Sequence, residues 1–173
     1  MILNVGCGNN KIDGAVNLDT HGFPDVYANA MRLPFGDGTV EKIYFFHTIE
    51  HIRKTLHFDL FQEFKRVLKE EGQVLVSYPE FTTVAKNFVE NKWGMRSFWE
   101  ATIYGRQVHA GDHHVSLMYT PYFINFLKEM GFVDVKSFPE PAESFNTVVK
   151  CKKGPKLPNI VDRYARDFFG YIK

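Results

Sequence analysis

Two short apolar runs, Ile2–Val5 and Val16–Leu18, frame the segment that most constrains this chain: Gly6-Cys7-Gly8 after the first run, and Asp19 closing the second. The glycines let backbone come close to a ligand where a Cβ would clash. A carboxylate at the tip of the next strand is placed to accept hydrogen bonds from ribose hydroxyls. Positions 9–18 leave too little chain for a full crossover helix, so Asn9 to Gly14 is expected to be a loop or one helical turn. A dinucleotide site would want a third glycine where Asn10 stands, a proper helix for the pyrophosphate and a second mononucleotide half. A chain of 173 residues has room for one domain with a real core and little more.

The rest of the chain alternates strands and helices. Residues 2–5, 15–18, 25–28 and 41–46 read as four strands, and Leu33-Pro34-Phe35-Gly36-Asp37-Gly38 carries turn formers between the last two. Leu56, Leu60, Phe64, Val67 and Leu68 recur at helical spacing, with Gly72 as the expected stop. Val74-Leu75-Val76 is a fifth strand, closed by Pro79. Such alternation predicts an α/β fold with a mostly parallel sheet. Residues 82–104, rich in aromatics, read as two short helices broken near Gly94, an insertion over the top of the sheet and a candidate lid. Thr120-Pro121 starts a helix that Gly131 ends, and 133–138 and 145–151 are two final strands, paired antiparallel. Asn159 is placed to cap a last helix with Ile160, Tyr164 and Phe168 in line.

Composition narrows the partners. A formal charge of +1 gives no global attraction for nucleic acid or anionic membrane, and no apolar stretch approaches a membrane span. Lys150, Lys152, Lys153 and Lys156 read as a solvated edge. The N-terminus opens straight into a strand, which leaves no room for a signal peptide, and two cysteines, Cys7 and Cys151, make no disulfide framework. A cytoplasmic setting is expected.

Six landmarks in this order resemble the class I methyltransferases that use S-adenosyl-L-methionine. They are Leu3-Asn4-Val5-Gly6-Cys7-Gly8, Val16-Asn17-Leu18-Asp19, Leu33-Pro34-Phe35, Ile49-Glu50-His51, Phe64 to Gly72, and Phe126 to Phe132. The likeness is to the small, methyltransferase type 11-like subgroup that opens with Leu-Asn-x-Gly-Cys-Gly. It covers residues 1 to about 151. It implies a Rossmann-like fold: a mostly parallel seven-stranded sheet, an antiparallel C-terminal hairpin, a shortened first helix and a helical lid. The domain would span 1–151, with 82–114 as lid and substrate region and 152–173 as a basic linker and helix, a possible homo-oligomer contact. Carried over residue by residue, Gly6, Cys7 and Gly8 pass under the methionine part of the cofactor, with Asn4 where the wider class often has an acid. Asp19 holds the ribose, Asn29 and Ala30 read adenine, and His47 stands beside the transferable methyl.

His47, Glu50 and His51 fall at i, i+3 and i+4, one face of a helix. The loop His109 to His114 adds three more histidines near the same cleft. Three readings stand for this set: a hydrogen-bonding cluster at a helix start, a general base for a substrate hydroxyl, or a metal site completed by His113 or His114. The last resembles the small-RNA ribose methyltransferases, which carry Glu where this chain has His47. The expected catalytic residues are His47, His51 and His114, with no metal assigned. The expected reaction is methyl transfer to a small-molecule acceptor, most plausibly a hydroxyl of a sugar or other metabolite. A metal-assisted RNA ribose methyltransferase and a non-catalytic cofactor-binding module are the alternatives.

Overall fold

A computed structural model describes residues 1–108, 111–140 and 145–155. Seven strands run β1 (Ile2–Val5), β2 (Val16–Asp19), β3 (Val26–Tyr27), β4 (Val40–Phe46), β5 (Leu68–Pro79), β6 (Phe132–Pro139) and β7 (Asn146–Lys153). Four helices, α1 (His57–Val67), α2 (Phe81–Val89), α3 (Arg96–Tyr104) and α4 (Thr120–Glu129), fall between β4 and β6. The strand order is β3-β2-β1-β4-β5-β7-β6. The first five strands are parallel, and β7 runs antiparallel to both β5 and β6. This is the α/β, mostly parallel sheet with an antiparallel C-terminal pair that the sequence implies. Leu3 lies between Val16 and Ile43, a register that sets the C-terminal ends of β1, β2 and β4 side by side.

The core lies on one face of the sheet. Leu3, Val5, Ile43, Phe45, Val74, Val76 and Tyr78 alternate inward along three strands and are buried. Phe61 of α1 then packs its ring edge-to-face on Phe64, Phe123, Phe126 and Phe132, at centroid distances of 5.5–5.8 Å. Each such burial stabilises by about 1.5–3 kcal/mol, and together they clamp α1 and α4 to the same face. On the opposite face Tyr44, Phe46 and Leu75 are only half-buried. Among the described residues no helix links β1 to β2, β2 to β3 or β3 to β4.

Side-chain amides do what the first helix would have done. The expected shortening of that helix is complete, since residues 6–15 hold turns alone. Asn4 Nδ2 donates to Asn17 Oδ1 and to the Asn10 carbonyl, both at 2.9 Å. Asn17 Oδ1 also accepts from Ile12 N at 2.8 Å, and its Nδ2 donates to Asp25 Oδ2 at 2.7 Å. Asp25 Oδ1 accepts from Lys11 Nζ at 2.7 Å. A chain of hydrogen bonds thus ties β1, the loop and β2 together.

Two sequence expectations need adjustment. Gly72 is not a helix stop: α1 ends at Val67, Leu68 already pairs with Val40, and Gly72 lies inside β5. A Cβ there would stand 2.8 Å from the Lys69 carbonyl, so the glycine serves an irregular turn-back in the strand. Strand β7 runs on to Lys153, where Lys152 meets Asp134 at 2.9 Å and Lys153 meets Glu70 at 3.1 Å, so these lysines are ion-paired at the end of an inner strand rather than simply solvated. The expected helix from Asn159 and Lys156 lie outside the described residues.

Hydrogen bonds from Lys11 and Asn17 hold the Asp25 carboxyl down to about 2, against about 3.9 in an unfolded chain. A depressed carboxyl contributes stability above the unfolded value and loses it as pH falls through the folded one. Asp25→Asn is therefore expected to lower the melting temperature at neutral pH. The gap to wild type should narrow as pH falls from about 4 to about 2. Melting curves in that window check it, and a constant gap would show that the charge is not what the loop uses.

Candidate active site

The Gly6–Gly8 turn sits at the C-terminal end of β1, where strand order reverses between β1 and β4, the place where open α/β sheets bind ligands. Its two glycines do different work. Gly6 has φ +72°, and a Cβ there would overlap the Oγ1 and Cγ2 atoms of Thr48. Thr48 Oγ1 lies 3.2 Å from the Gly6 carbonyl and 2.9 Å from the Phe46 carbonyl and shares its one proton between them, sewing the end of β4 to the turn. Gly8 has φ +51°, but a Cβ there would meet open space. That is the side on which a ligand has room.

Backbone N–H groups of Gly6 and Cys7 both donate to the Leu18 carbonyl, at 2.8 and 3.0 Å. Gly8 N donates to Asp19 Oδ2 at 2.7 Å and His21 N to Oδ1 at 2.9 Å. The carboxylate at the β2 tip is thereby fixed in direction, and each oxygen keeps a second lone pair. Cys7 points inward at 4% exposure, and burial followed by the charge of Asp19 pushes its thiol pKa up. It is a packing residue under the turn. Asn4, also buried, spends both amide protons on the join already described. Exposed Asn29 folds its Oδ1 back onto Met31 N at 2.9 Å, beside half-buried Ala30.

His47 follows β4 directly, in the left-handed region at φ +48°, with its N–H on the Ser77 carbonyl at 2.9 Å. Its ring lies between two carboxylates: Nδ1 is 3.6 Å from Glu50 Oε1 and Nε2 3.4 Å from Glu140 Oε2. Ser77 Oγ is 3.1 Å from the same Nε2 and donates to Glu140. Burial opposes charge on this ring, but Glu50 and Glu140 outweigh it and raise its pKa. With its side chain 43% exposed, His47 still opens onto the cleft.

Only Ile49–His51 form a helical turn after β4, so the full helix face suggested by the spacing does not exist. Glu50, 2% exposed, and His51 nevertheless meet His114, whose ring stands 4.8 Å from that of His51. Burial lowers the pKa of His114. His113 is exposed and contributes its carbonyl to His51 Nδ1 at 3.1 Å. His109 lies outside the described residues. The three histidines expected to be catalytic therefore gather around one carboxylate, Glu50.

The two short helices expected over 82–104 are α2 and α3, joined by a short turn and sharing a small core of their own. Val84 and Trp99 pack with Phe145 of the β7 approach, and Trp99 Nε1 donates to the Lys92 carbonyl at 3.1 Å. Sequence reasoning missed Thr48, Ser77, Glu140 and Asn146. Ser77 left a trace, as a polar residue between Val76 and Tyr78 near the end of β5. Asn146 reaches the site because it pairs with Pro79 across β5 and β7, which no local pattern announces.

The fold can now be set beside known proteins. A family model described as a methyltransferase domain matches residues 11–76. A methyltransferase structure from Archaeoglobus fulgidus, described as dependent on S-adenosylmethionine, aligns with a TM-score of 0.62 at 14% identity, over 88% of this chain and 85% of its own. Another so described, from Methanosarcina mazei, gives 0.63 at 14% identity, over 90% and 92%. The 1,6-didemethyltoxoflavin-N1-methyltransferase of Burkholderia thailandensis gives 0.58 at 12% identity, over 89% and 71%; its structure holds 1,6-didemethyltoxoflavin and S-adenosylhomocysteine. No curated protein matches the chain. The match over residues 11–76 and the shared fold make this chain similar to methyltransferases that use S-adenosylmethionine.

The division of labour between the glycines gives a direct comparison. Gly8→Ala meets only backbone strain, about 1–2 kcal/mol, whereas Gly6→Ala adds the collision with Thr48. Urea unfolding is expected to show the larger loss for Gly6→Ala. Equal losses would mean that the Thr48 contact does not govern the turn.

Proposed function

We propose that this chain is an S-adenosylmethionine-dependent methyltransferase that methylates a hydroxyl of a small polar acceptor, a sugar or similar metabolite, in the cytoplasm. One observation carries the reading: the Gly6–Gly8 turn, Asp19 and His47 lie at neighbouring strand ends, and His47 is ringed by Glu50, Ser77, Glu140 and Asn146. Such a ring of hydrogen-bonding groups suits an acceptor that carries several hydroxyls. The near-neutral net charge of +1 favours a small molecule over nucleic acid. Reduced, buried Cys7 and Cys151 fit a reducing compartment.

S-adenosylmethionine, once bound, supplies an electrophilic methyl on a positively charged sulfur. Asp19, held by Gly8 N and His21 N, presents its remaining lone pairs to the ribose hydroxyls. Gly6, Cys7 and Gly8 carry the methionine end, with Asn4 holding the turn from beneath, and Asn29 and Ala30 flank adenine. The lid over the cleft excludes water and aligns acceptor oxygen, methyl and sulfur, which is where most of the acceleration from positioning arises. His47 takes the hydroxyl proton as the oxygen attacks, and the carboxylates on either side balance the charge it gains. A positioned base is worth about 10²–10⁴-fold. His51 and His114 complete the acceptor side.

Two measurements test this. S-adenosylmethionine or S-adenosylhomocysteine is expected to raise the melting temperature, and Asp19→Ala to abolish that rise; no shift at millimolar ligand would end the reading. Labelled methyl transfer to a panel of sugars and other polyols should then yield O-methyl products. His47→Ala should lower kcat by about 10²–10⁴-fold while keeping the thermal shift. Products methylated only on nitrogen or carbon would refute a hydroxyl acceptor.

A further inference from the structure

Glu50, His51 and His114 place a carboxylate oxygen and two imidazole nitrogens within 4.8 Å of one another. Three features make this more than proximity. First, Glu50 is 2% exposed, and its Oε2 is buried with no hydrogen-bond partner among the described residues. A buried, unpartnered carboxylate oxygen is costly and calls for a positive neighbour. Its other oxygen is the one near His47.

Second, both imidazoles are set in one tautomer. His51 Nδ1 lies 3.1 Å from the His113 carbonyl and His114 Nδ1 2.8 Å from the Thr102 carbonyl. A carbonyl only accepts, so each Nδ1 carries the proton and each Nε2 keeps its lone pair. Metal-ligating histidines are oriented in this way, through a hydrogen bond from the other ring nitrogen.

Third, the two segments are stitched together. The Glu50 carbonyl accepts from Val115 N at 2.8 Å and Ser116 N at 3.1 Å, and Ser116 Oγ donates to the Ile52 carbonyl at 2.6 Å. His114 N donates to the Tyr104 carbonyl at 3.0 Å. Gly105 permits this return, because a Cβ there would overlap the Asp112 carbonyl. The donors thus sit on a framework that is already built. Metal bonds of about 2.0–2.2 Å put tetrahedral neighbours about 3.4 Å apart, within reach of side-chain torsions from the spacing present.

We propose that Glu50, His51 and His114 form a binding site for a divalent transition-metal ion of the zinc class, with two nitrogens and one oxygen from the protein and a fourth position open. The sequence alone assigns no metal and does not separate His113 from His114; the fold selects His114. Two imidazoles and a carboxylate suit zinc, iron, cobalt or nickel, and three protein ligands with an open position mark a reactive rather than a closed structural site. The ion stands beside His47 through their shared neighbour Glu50.

Chelator-treated protein titrated with Zn²⁺ by calorimetry, and with Co²⁺ followed by visible absorption, tests the site without reference to methyl transfer. Failure here would therefore leave the proposed reaction standing. One equivalent is expected to bind, with the Co²⁺ bands of a four-coordinate site. His51→Ala and His114→Ala should each weaken binding at least tenfold, while His113→Ala, which keeps its backbone carbonyl, should bind as wild type does. Circular dichroism confirms that each variant is folded, and His114→Gln provides a less disruptive second variant. No binding above background, or undiminished binding in folded His114→Gln and His114→Ala, would overturn the proposal.

Discussion

The arrangement depends on the contact between Gly6 and Thr48. The first turn bends over the end of β4 so closely that a side chain at position 6 would occupy the space Thr48 fills. Thr48 answers with hydrogen bonds to the carbonyls of Gly6 and Phe46. The contact joins the Gly6–Gly8 turn to the segment that carries His47, Glu50 and His51. The ends of β1 and β4, which carry the proposed cofactor and acceptor sides, are thereby held in register by one missing methyl group, and the left-handed His47 extends the same bend.

Around that contact the protein replaces helices with side chains. Asn4, Asn17, Asp25 and Lys11 span the first link, and Arg66 does similar work for a later one. Its guanidinium reaches Glu63 at 2.6 Å, Asp37 at 2.7 Å and the carbonyls of Leu33 and Phe35 at 3.1 and 2.9 Å. The Leu33-Pro34-Phe35 landmark is thus held to α1 by a charged bracket. Polar groups in both networks are paired, as buried polar groups must be if they are not to cost stability.

Most of the fold was legible because it follows local rules. Alternating apolar residues in β4 and the helical spacing of Leu60, Phe64 and Val67 announce their elements, and the glycines with Asp19 mark the ends of β1 and β2. The candidate site was legible only in part. His47, Glu50 and His51 are close in sequence, so their association could be read, though from a helix that turned out to be a single turn. Asn146 arrives by pairing of β7 with β5 and Glu140 by pairing of β6 with β7, long-range events with no local signature. The choice of His114 over His113 depends on how the chain returns at Gly105, and Gly72 misled because a glycine after a helical run serves a strand irregularity equally well.

A sheet with helices packed on one face, and short turns in place of helices along its ligand-binding edge, has little stability to spare. Domains of this size are held by about 5–15 kcal/mol in all. A ligand present at 100 times its dissociation constant adds about 2.7 kcal/mol to whichever state binds it. For a methyl donor bound across β1, β2 and β4, as proposed, that would be a sizeable share of what keeps those strands together. Under the proposed function, the supply of methyl donor would set how much folded protein persists as well as how fast it turns over.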